Sequence, residues 1–412
     1  MTLFETVQAQ IKNAYTYIND DYDSSLMEQL LEPINIVEAD LTITMDDGSE
    51  NTYKAFRSQH SNVKGPHKGG IRFHQHVSLD EVKSLSAWMS FKTAVVDLPL
   101  WWGKWGIIVD PKQLSQTELE KLSRAYIDAI WEHIGPSKDV PAPDVNTNGQ
   151  IMAWMADQYA KHVWERQPGV ITGKPLSIWW SKGRGIATAL WGLYVLRRYL
   201  SKNNDSLKWK TVVVQWAWNA GLTFAQLCID DGALVIGISD SKGWIYVPEG
   251  IDIAKISELK AARKSVTQYP WATVLEHLDI LDNDCDILVP AALENQITAE
   301  NGAKIKASVI LELANGPTTP EGQELLDTNG VTVLPDILAN AGWVTVSYFE
   351  QVQNNANYYR EEAEVFEKLE KIMNKATDGV IDTAKDHGTN LRDAAYIVAL
   401  KRIMEAMKVR GW

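Results

Sequence analysis

TVVVQWAWNAGLTFAQLCIDDGALVIGISD, residues 211–240, is the stretch on which the fold turns. Thr211 to Val214 is apolar on both faces and β-branched, as a strand buried in a parallel sheet must be. Leu222 to Ile229 carries its apolar side chains at helical spacing, and Ala233 to Ile238 forms a second strand closing on Asp240. Strand, helix and strand in succession form a β-α-β unit, which implies a parallel sheet.

Downstream of that unit, Ile287 to Val289 and Val309 to Leu311 continue the alternation as two more apolar strands. The tail from Glu361 to Met407 reads as helical, with one apolar stripe through Ala394, Ile397, Val398, Leu400, Ile403 and Met407. Upstream, the composition changes after Gly173-Lys174-Pro175. Before that point the first 60 residues read as a helix and a strand pair, Leu41 to Met45 and Asn51 to Arg57, turned by Asp47-Gly48. Ser78 with Glu81, and Ser115 with Glu118, have the spacing of capping boxes that open two further helices. Pro141, Pro143 and Gly149 cluster, which predicts a loop.

At 412 residues the chain exceeds one ordinary core. An α/β protein of two domains is expected: a substrate and oligomerisation domain over 1–180, with a partly mixed sheet, and a Rossmann-like domain over 181–345. Helices over 346–412 should pack back on the first domain. The formal net charge of -13 argues against a nucleic-acid partner, which would need a basic stripe. Cys228 and Cys285 lie in apolar settings without ligand spacing, so buried free thiols are expected and a metal site is not. The first residues show no charged start before an apolar run, and no run approaches the ~20 apolar residues of a membrane span. A cytoplasmic protein is the expectation.

Five segments carry a resemblance. They are Gly65-Pro66-His67-Lys68-Gly69-Gly70-Ile71-Arg72-Phe73-His74, Pro141-Ala142-Pro143-Asp144-Val145-Asn146-Thr147-Asn148, Pro290-Ala291-Ala292-Leu293-Glu294, Ala314-Asn315-Gly316-Pro317-Thr318, and Asp336-Ile337-Leu338-Ala339-Asn340-Ala341-Gly342. In this order they resemble the signatures of the Glu/Leu/Phe/Val dehydrogenase family, and within it glutamate dehydrogenase. The resemblance implies reversible oxidative deamination of glutamate to 2-oxoglutarate and ammonium with NAD or NADP, by a homo-oligomer, commonly a hexamer.

It also implies residue roles. Lys68 would grip the side-chain carboxylate beside Gly69 and Gly70, Lys92 the α-carboxylate, and Ser347 the far end of the pocket. Lys104 would be the catalytic lysine and Asp144 its proton-transfer partner. Thr188, Asn219, Gly221, Asp240, Ser241, Asn315 and Asn340 would meet the dinucleotide. The residue types fit that chemistry. Cations crowded into one cleft disfavour each other's charged form, so a lysine there can serve as a base near neutral pH. A buried cation and a hydroxyl suit a dicarboxylate better than an apolar side chain.

The 17 tryptophans complicate this reading. A dinucleotide turn needs Gly-x-Gly-x-x-Gly for tightness and close approach to pyrophosphate. Here the turn is Gln215-Trp216-Ala217-Trp218-Asn219-Ala220-Gly221, and only the third glycine stands. Trp101, Trp102, Trp105, Trp179, Trp180 and Trp343 also replace family glycines; Trp191, Trp209, Trp244 and Leu313 resemble further cases. Trp88 and Trp154 sit on apolar helix faces. Overpacking costs roughly 1–3 kcal/mol per site. Two alternatives therefore stay open: a non-catalytic variant of the scaffold, and an interaction protein using exposed indoles.

Overall fold

The computed structural model describes residues 2–178, 181, 184–275 and 280–412, with the side chains of 184, 185, 188 and 219 outside the description. It divides into two units, one holding Met1–Arg184, Val344–Glu367 and Tyr396–Trp412, the other Gly185–Trp343 and Lys368–Ala395.

In the first unit, β1 (Asn35–Thr44) and β2 (Glu50–Gln59) form the expected antiparallel pair about Asp47-Gly48, where Gly48 takes φ +86°. Three more strands follow: β3 (His67–Phe73), β4 (Trp101–Ile107) and β5 (Asp139–Pro143). The sheet order is β1-β2-β4-β3-β5; β4 runs antiparallel to β2, and β3 runs parallel to both β4 and β5. The mixed sheet is as expected. The proline cluster is not a loop but β5, an edge strand. Proline cannot donate to a ladder, so an edge is where a sheet accepts it, and the alternation signal is lost with the donors.

The helix Leu79–Val95 begins at Ser78, whose side chain accepts from Glu81 N. Only that half of the predicted capping box forms; the Glu81 carboxylate turns instead to Arg72. At Ser115 and Glu118 both halves are present. Beneath the sheet, Ile71, Phe73, Trp105 and Ile107 pack with Leu122, Tyr126 and Met152 from the helices Gln116–Ile130 and Gly149–Val163. The helices Gly342–Ala356 and Leu391–Arg410 supply later segments of the chain to this unit.

The second unit is built on β6 (Thr211–Gln215), β7 (Leu234–Asp240), β8 (Gly243–Tyr246), β9 (Thr273–Leu275), β10 (Ile287–Pro290), β11 (Val309–Leu311) and β12 (Thr332–Leu334), ordered β12-β11-β10-β6-β7-β8-β9. Strands β12 to β7 in that order are parallel, while β8 and β9 add an antiparallel edge. The chain leaves β6 towards β7 on one side and later returns as β10 on the other. That reversal at the C-terminal end of β6 is the switch point where doubly wound sheets bind ligands. Both cysteines are buried free thiols, and burial pushes the Cys285 thiol up to about 12. Among the described residues no helix is long and apolar enough to cross a membrane, and no cluster could hold a metal ion.

Candidate active site

Three strands set the geometry. Lys68 lies opposite Trp102 and Val140, and Arg72 opposite Gly106, so Lys104 stands between them on the same face, opposite Gly70. Asp144 follows β5 directly. Its backbone N–H donates to Thr147 Oγ1 at 2.7 Å, and that hydroxyl donates to Ile71 O at 2.8 Å, which fixes the turn. Gly70 lets the carboxylate arrive: a Cβ there would stand 2.7 Å from Asp144 Cβ.

Asp144 accepts from Lys104 Nζ through Oδ2, and the same oxygen accepts from Arg72 Nε at 3.0 Å. Burial pushes the carboxyl up, but Lys104 and Arg72 outweigh it and hold the group at about 2. Burial pushes the Lys104 ammonium down, and Arg72 pushes it further; the attraction of Asp144 only partly offsets this. A lysine with a lowered pKa beside an ionised carboxylate has the chemistry to accept and return protons. The depressed carboxyl also bears on stability. Its contribution is complete above pH ~4 and is lost as pH falls through about 2.

The second group lies along the same strand. Lys68 is fully buried, and its Nζ donates to Thr172 Oγ1 at 2.6 Å; Thr172 and Ser347 hydroxyls are 2.8 Å apart. Behind them Glu350, from the helix Gly342–Ala356, accepts from Gly173 N at 2.8 and 2.9 Å and pairs with Lys174 at 3.3 Å. Lys92 is buried in the last turn of Leu79–Val95. The four residues 68, 92, 104 and 144 therefore all belong to the first unit, and none of the three lysines faces open solvent.

In the second unit, Gly221 is required as glycine, because a Cβ there would strike the Trp216 carbonyl. Asp240 is buried and fully engaged. It accepts from Lys242 N and Val266 N at 2.9 Å and from Ser265 Oγ at 3.0 Å, and it pairs with Lys260 at 2.9 Å. Burial raises its carboxyl, but Lys260 and these donors prevail and hold it below the usual range. Ser241 beside it is exposed. Asn340 donates to Leu313 O, Ala314 O and Asn315 Oδ1, which draws two of the named asparagines together. Thr188 falls in the helix Arg184–Lys202 and Asn219 opens Asn219–Asp230, but their side chains lie outside the description, as do Trp179 and Trp180 entirely.

Residues 181–411 match the Glutamate/Leucine/Phenylalanine/Valine dehydrogenase family, and residues 33–161 match the Glu/Leu/Phe/Val dehydrogenase dimerisation domain. The chain belongs to this dehydrogenase family. It is 44% identical to the catabolic NAD-specific glutamate dehydrogenase RocG of Bacillus subtilis (strain 168), covering all of this chain and 96% of that protein. It is 42% identical to the NAD-specific glutamate dehydrogenase of Staphylococcus aureus (strain COL), covering all of this chain and 98% of that one. The crystal structure of glutamate dehydrogenase from Peptoniphilus asaccharolyticus superposes with a TM-score of 0.91 at 40% identity, with both chains covered completely. The hetero-hexameric glutamate dehydrogenase from Thermus thermophilus, in its Leu-bound form, gives 0.92 at 33%, covering all of this chain and 97% of that one.

Sequence reasoning on this dehydrogenase missed Arg72, Thr172 and Glu350. Arg72 sits inside a quoted motif, yet nothing in its spacing says that its partners are Asp144 and Glu81. A further omission is Arg57 on β2. Buried on the opposite face of the sheet, it donates from Nε to Asp139 at 2.8 Å and lies 4.1 Å from the Trp105 ring. Its guanidinium fills the space where a Cβ of Gly103 would go, so it underpins the residue next to Lys104. Arg57→Met leaves Asp139 buried with only Gln59 donating to it from a side chain. A loss of ~3–5 kcal/mol is expected in thermal or denaturant melts, and an unchanged midpoint would count against this role.

At the turn after β6 the family's dinucleotide would meet two indoles. Trp216 is held at φ +91°, and the helix Asn219–Asp230 is capped by Trp218, which makes no side-chain capping bond and is more than half exposed. Both indoles hang from residues whose missing side chain is what lets a backbone approach pyrophosphate.

Proposed function

We propose that the protein is an L-glutamate dehydrogenase that converts glutamate and water to 2-oxoglutarate and ammonium, with NAD or NADP as oxidant. The observation that carries the reading is the buried line from Lys68 through Thr172 to Ser347. A cation and two hydroxyls at one end of a pocket would be costly against an apolar side chain and suit a second carboxylate. Lys92 takes the α-carboxylate in this reading. Full-length likeness to NAD-specific glutamate dehydrogenases supports the same substrate.

A nicotinamide held there would accept the hydride that leaves Cα as the carbon–nitrogen double bond forms. Asp144 takes a proton from the α-ammonium, which frees the nitrogen lone pair to support the iminium carbon. Lys104, when neutral, removes a proton from water as the water oxygen bonds to that carbon. The proton on Asp144 then returns to nitrogen, ammonia leaves, and the remaining hydroxyl loses its proton to give the ketone. Asn315, Asn340, Thr188, Asn219, Gly221, Asp240 and Ser241 are assigned to the dinucleotide. The working form is a cytoplasmic homo-oligomer, with a hexamer the expected number, that takes no nucleic acid; a dimerisation-domain match and a hexameric relative support the association.

Calorimetry with 2-oxoglutarate and with 4-methyl-2-oxopentanoate tests the substrate without needing the cofactor. The dicarboxylate should bind more tightly, and Lys68→Leu should reverse the order. Equal affinities in the parent chain would reject the reading. The pH–rate profile tests the roles. In the deamination direction the rise should follow Lys104 losing its proton, below the usual lysine value of ~10.4. Because Asp144 holds that proton on, residual activity of Asp144→Asn should rise at lower pH than the parent. A limb displaced upward would contradict the assignment.

A further inference from the structure

Among the described residues, tryptophan occupies contrasting kinds of position. At one kind the indole behaves as an indole should. Trp88 Nε1 donates to Gln10 at 2.7 Å, Trp131 stacks on His162 at 5.1 Å, and Trp154 packs against the first unit's core. At the other kind it breaks the rules that govern large side chains. Four of the ten non-glycine residues with φ in the left-handed region, among the described residues, are Trp164, Trp209, Trp216 and Trp271. Only a few per cent of non-glycine residues adopt such φ, mostly Asn, Asp and His; for a bulky residue it is an outlier. Outside the turn these indoles gain nothing from burial: Trp271 is 100% exposed, Trp164 93% and Trp209 72%.

A separate group errs in the opposite way. Trp101, Trp102, Trp105, Trp191 and Trp244 are buried, and each leaves its indole N–H without an acceptor. A buried unsatisfied donor costs ~1–3 kcal/mol. Trp191 also lies where a Cβ of Gly342 would be. Glycine answers both faults: it takes positive φ freely, carries no polar side-chain atom and needs no room.

We infer that in the cell that makes this protein these nine positions, together with Trp218 in the same turn, are occupied by glycine, because their codon is UGA read as glycine. Trp88, Trp131 and Trp154 are then true tryptophans encoded by UGG. UGA differs by one base from UGG and by one base from the glycine codon GGA, so a single codon with two readings produces two populations under one letter. Such a reading restores Gly-x-Gly-x-x-Gly over residues 216–221 and gives the helix Asn219–Asp230 an open N-terminus for a pyrophosphate.

The test is the gene's codons together with peptide mass spectrometry of the protein purified from its source cell. UGA at 216 and 218 and at the nine positions' other codons, UGG at 88, 131 and 154, and peptide masses carrying glycine across 211–221 are expected. A UGG codon at 216, or an indole-bearing peptide over that span, overturns the inference. Neither readout depends on enzyme activity, so the result stands apart from the proposed reaction.

Discussion

Trp216→Gly combined with Trp218→Gly is expected to tighten NAD binding by about 10²–10³-fold relative to a chain made with both indoles. Each indole must be displaced before the backbone can meet a pyrophosphate, and overpacking of this kind costs roughly 1–3 kcal/mol per site. Two sites together amount to roughly 2–6 kcal/mol, or between one and about four factors of ten at about 1.4 kcal/mol each, and the middle of that range is expected. Trp216 carries an additional strain, since its φ of +91° suits glycine alone; relief of roughly 1–2 kcal/mol should appear as a higher melting point. Calorimetry reads the affinity. If the double variant binds NAD no better than the indole-bearing chain, the account of the turn is wrong. Gly221→Ala is the control in the other direction: its Cβ meets the carbonyl of residue 216, so it should weaken binding and stability whatever stands at 218.

Lys104→Met and Asp144→Asn are each expected to lower kcat by about 10²–10⁴-fold, the usual range for a lost acid–base group. The two groups share one ion pair and one proton economy, so the double variant should be hardly worse than the more damaged single. Multiplying losses would mean that each acts alone. Asp144→Asn has a second consequence that Lys104→Met lacks. It leaves Lys104 and Arg72 facing each other across an uncharged amide, so its stability should also fall. Arg72 retains Glu81 in either case. Measuring kcat at saturating glutamate separates the chemical loss from weaker substrate binding.

How much of this was written in the sequence differs by element. The β-α-β unit at 211–240 was legible because its strands are buried on both faces and read as unbroken apolar runs. Strands β10 and β11 were legible for the same reason. Strand β5 was hidden by its prolines, and β8 and β9 are short additions to an edge, where little burial enforces a pattern. The lysines and Asp144 were found through motifs, and the sheet explains why those motifs are spaced so: β3, β4 and the end of β5 are neighbours. What the motifs could not give is which charge meets which. Glu81 has the spacing of a helix cap but is taken by Arg72, and Thr172 reaches Ser347 across 175 residues of chain. Choices of that kind depend on tertiary distance, which spacing along the chain does not encode.

The close seating of Asp144 on Gly70 makes one of the two glycines on β3 a gatekeeper for chemistry it does not perform. A saturation library at position 70 screened for turnover should return the parent residue and nothing else, whereas position 68 should return new substrate preferences. Under the proposed roles, drift at codons 68 and 70 would therefore follow different courses: the lysine site would diversify what the enzyme consumes, while the glycine site would only keep it working or silence it.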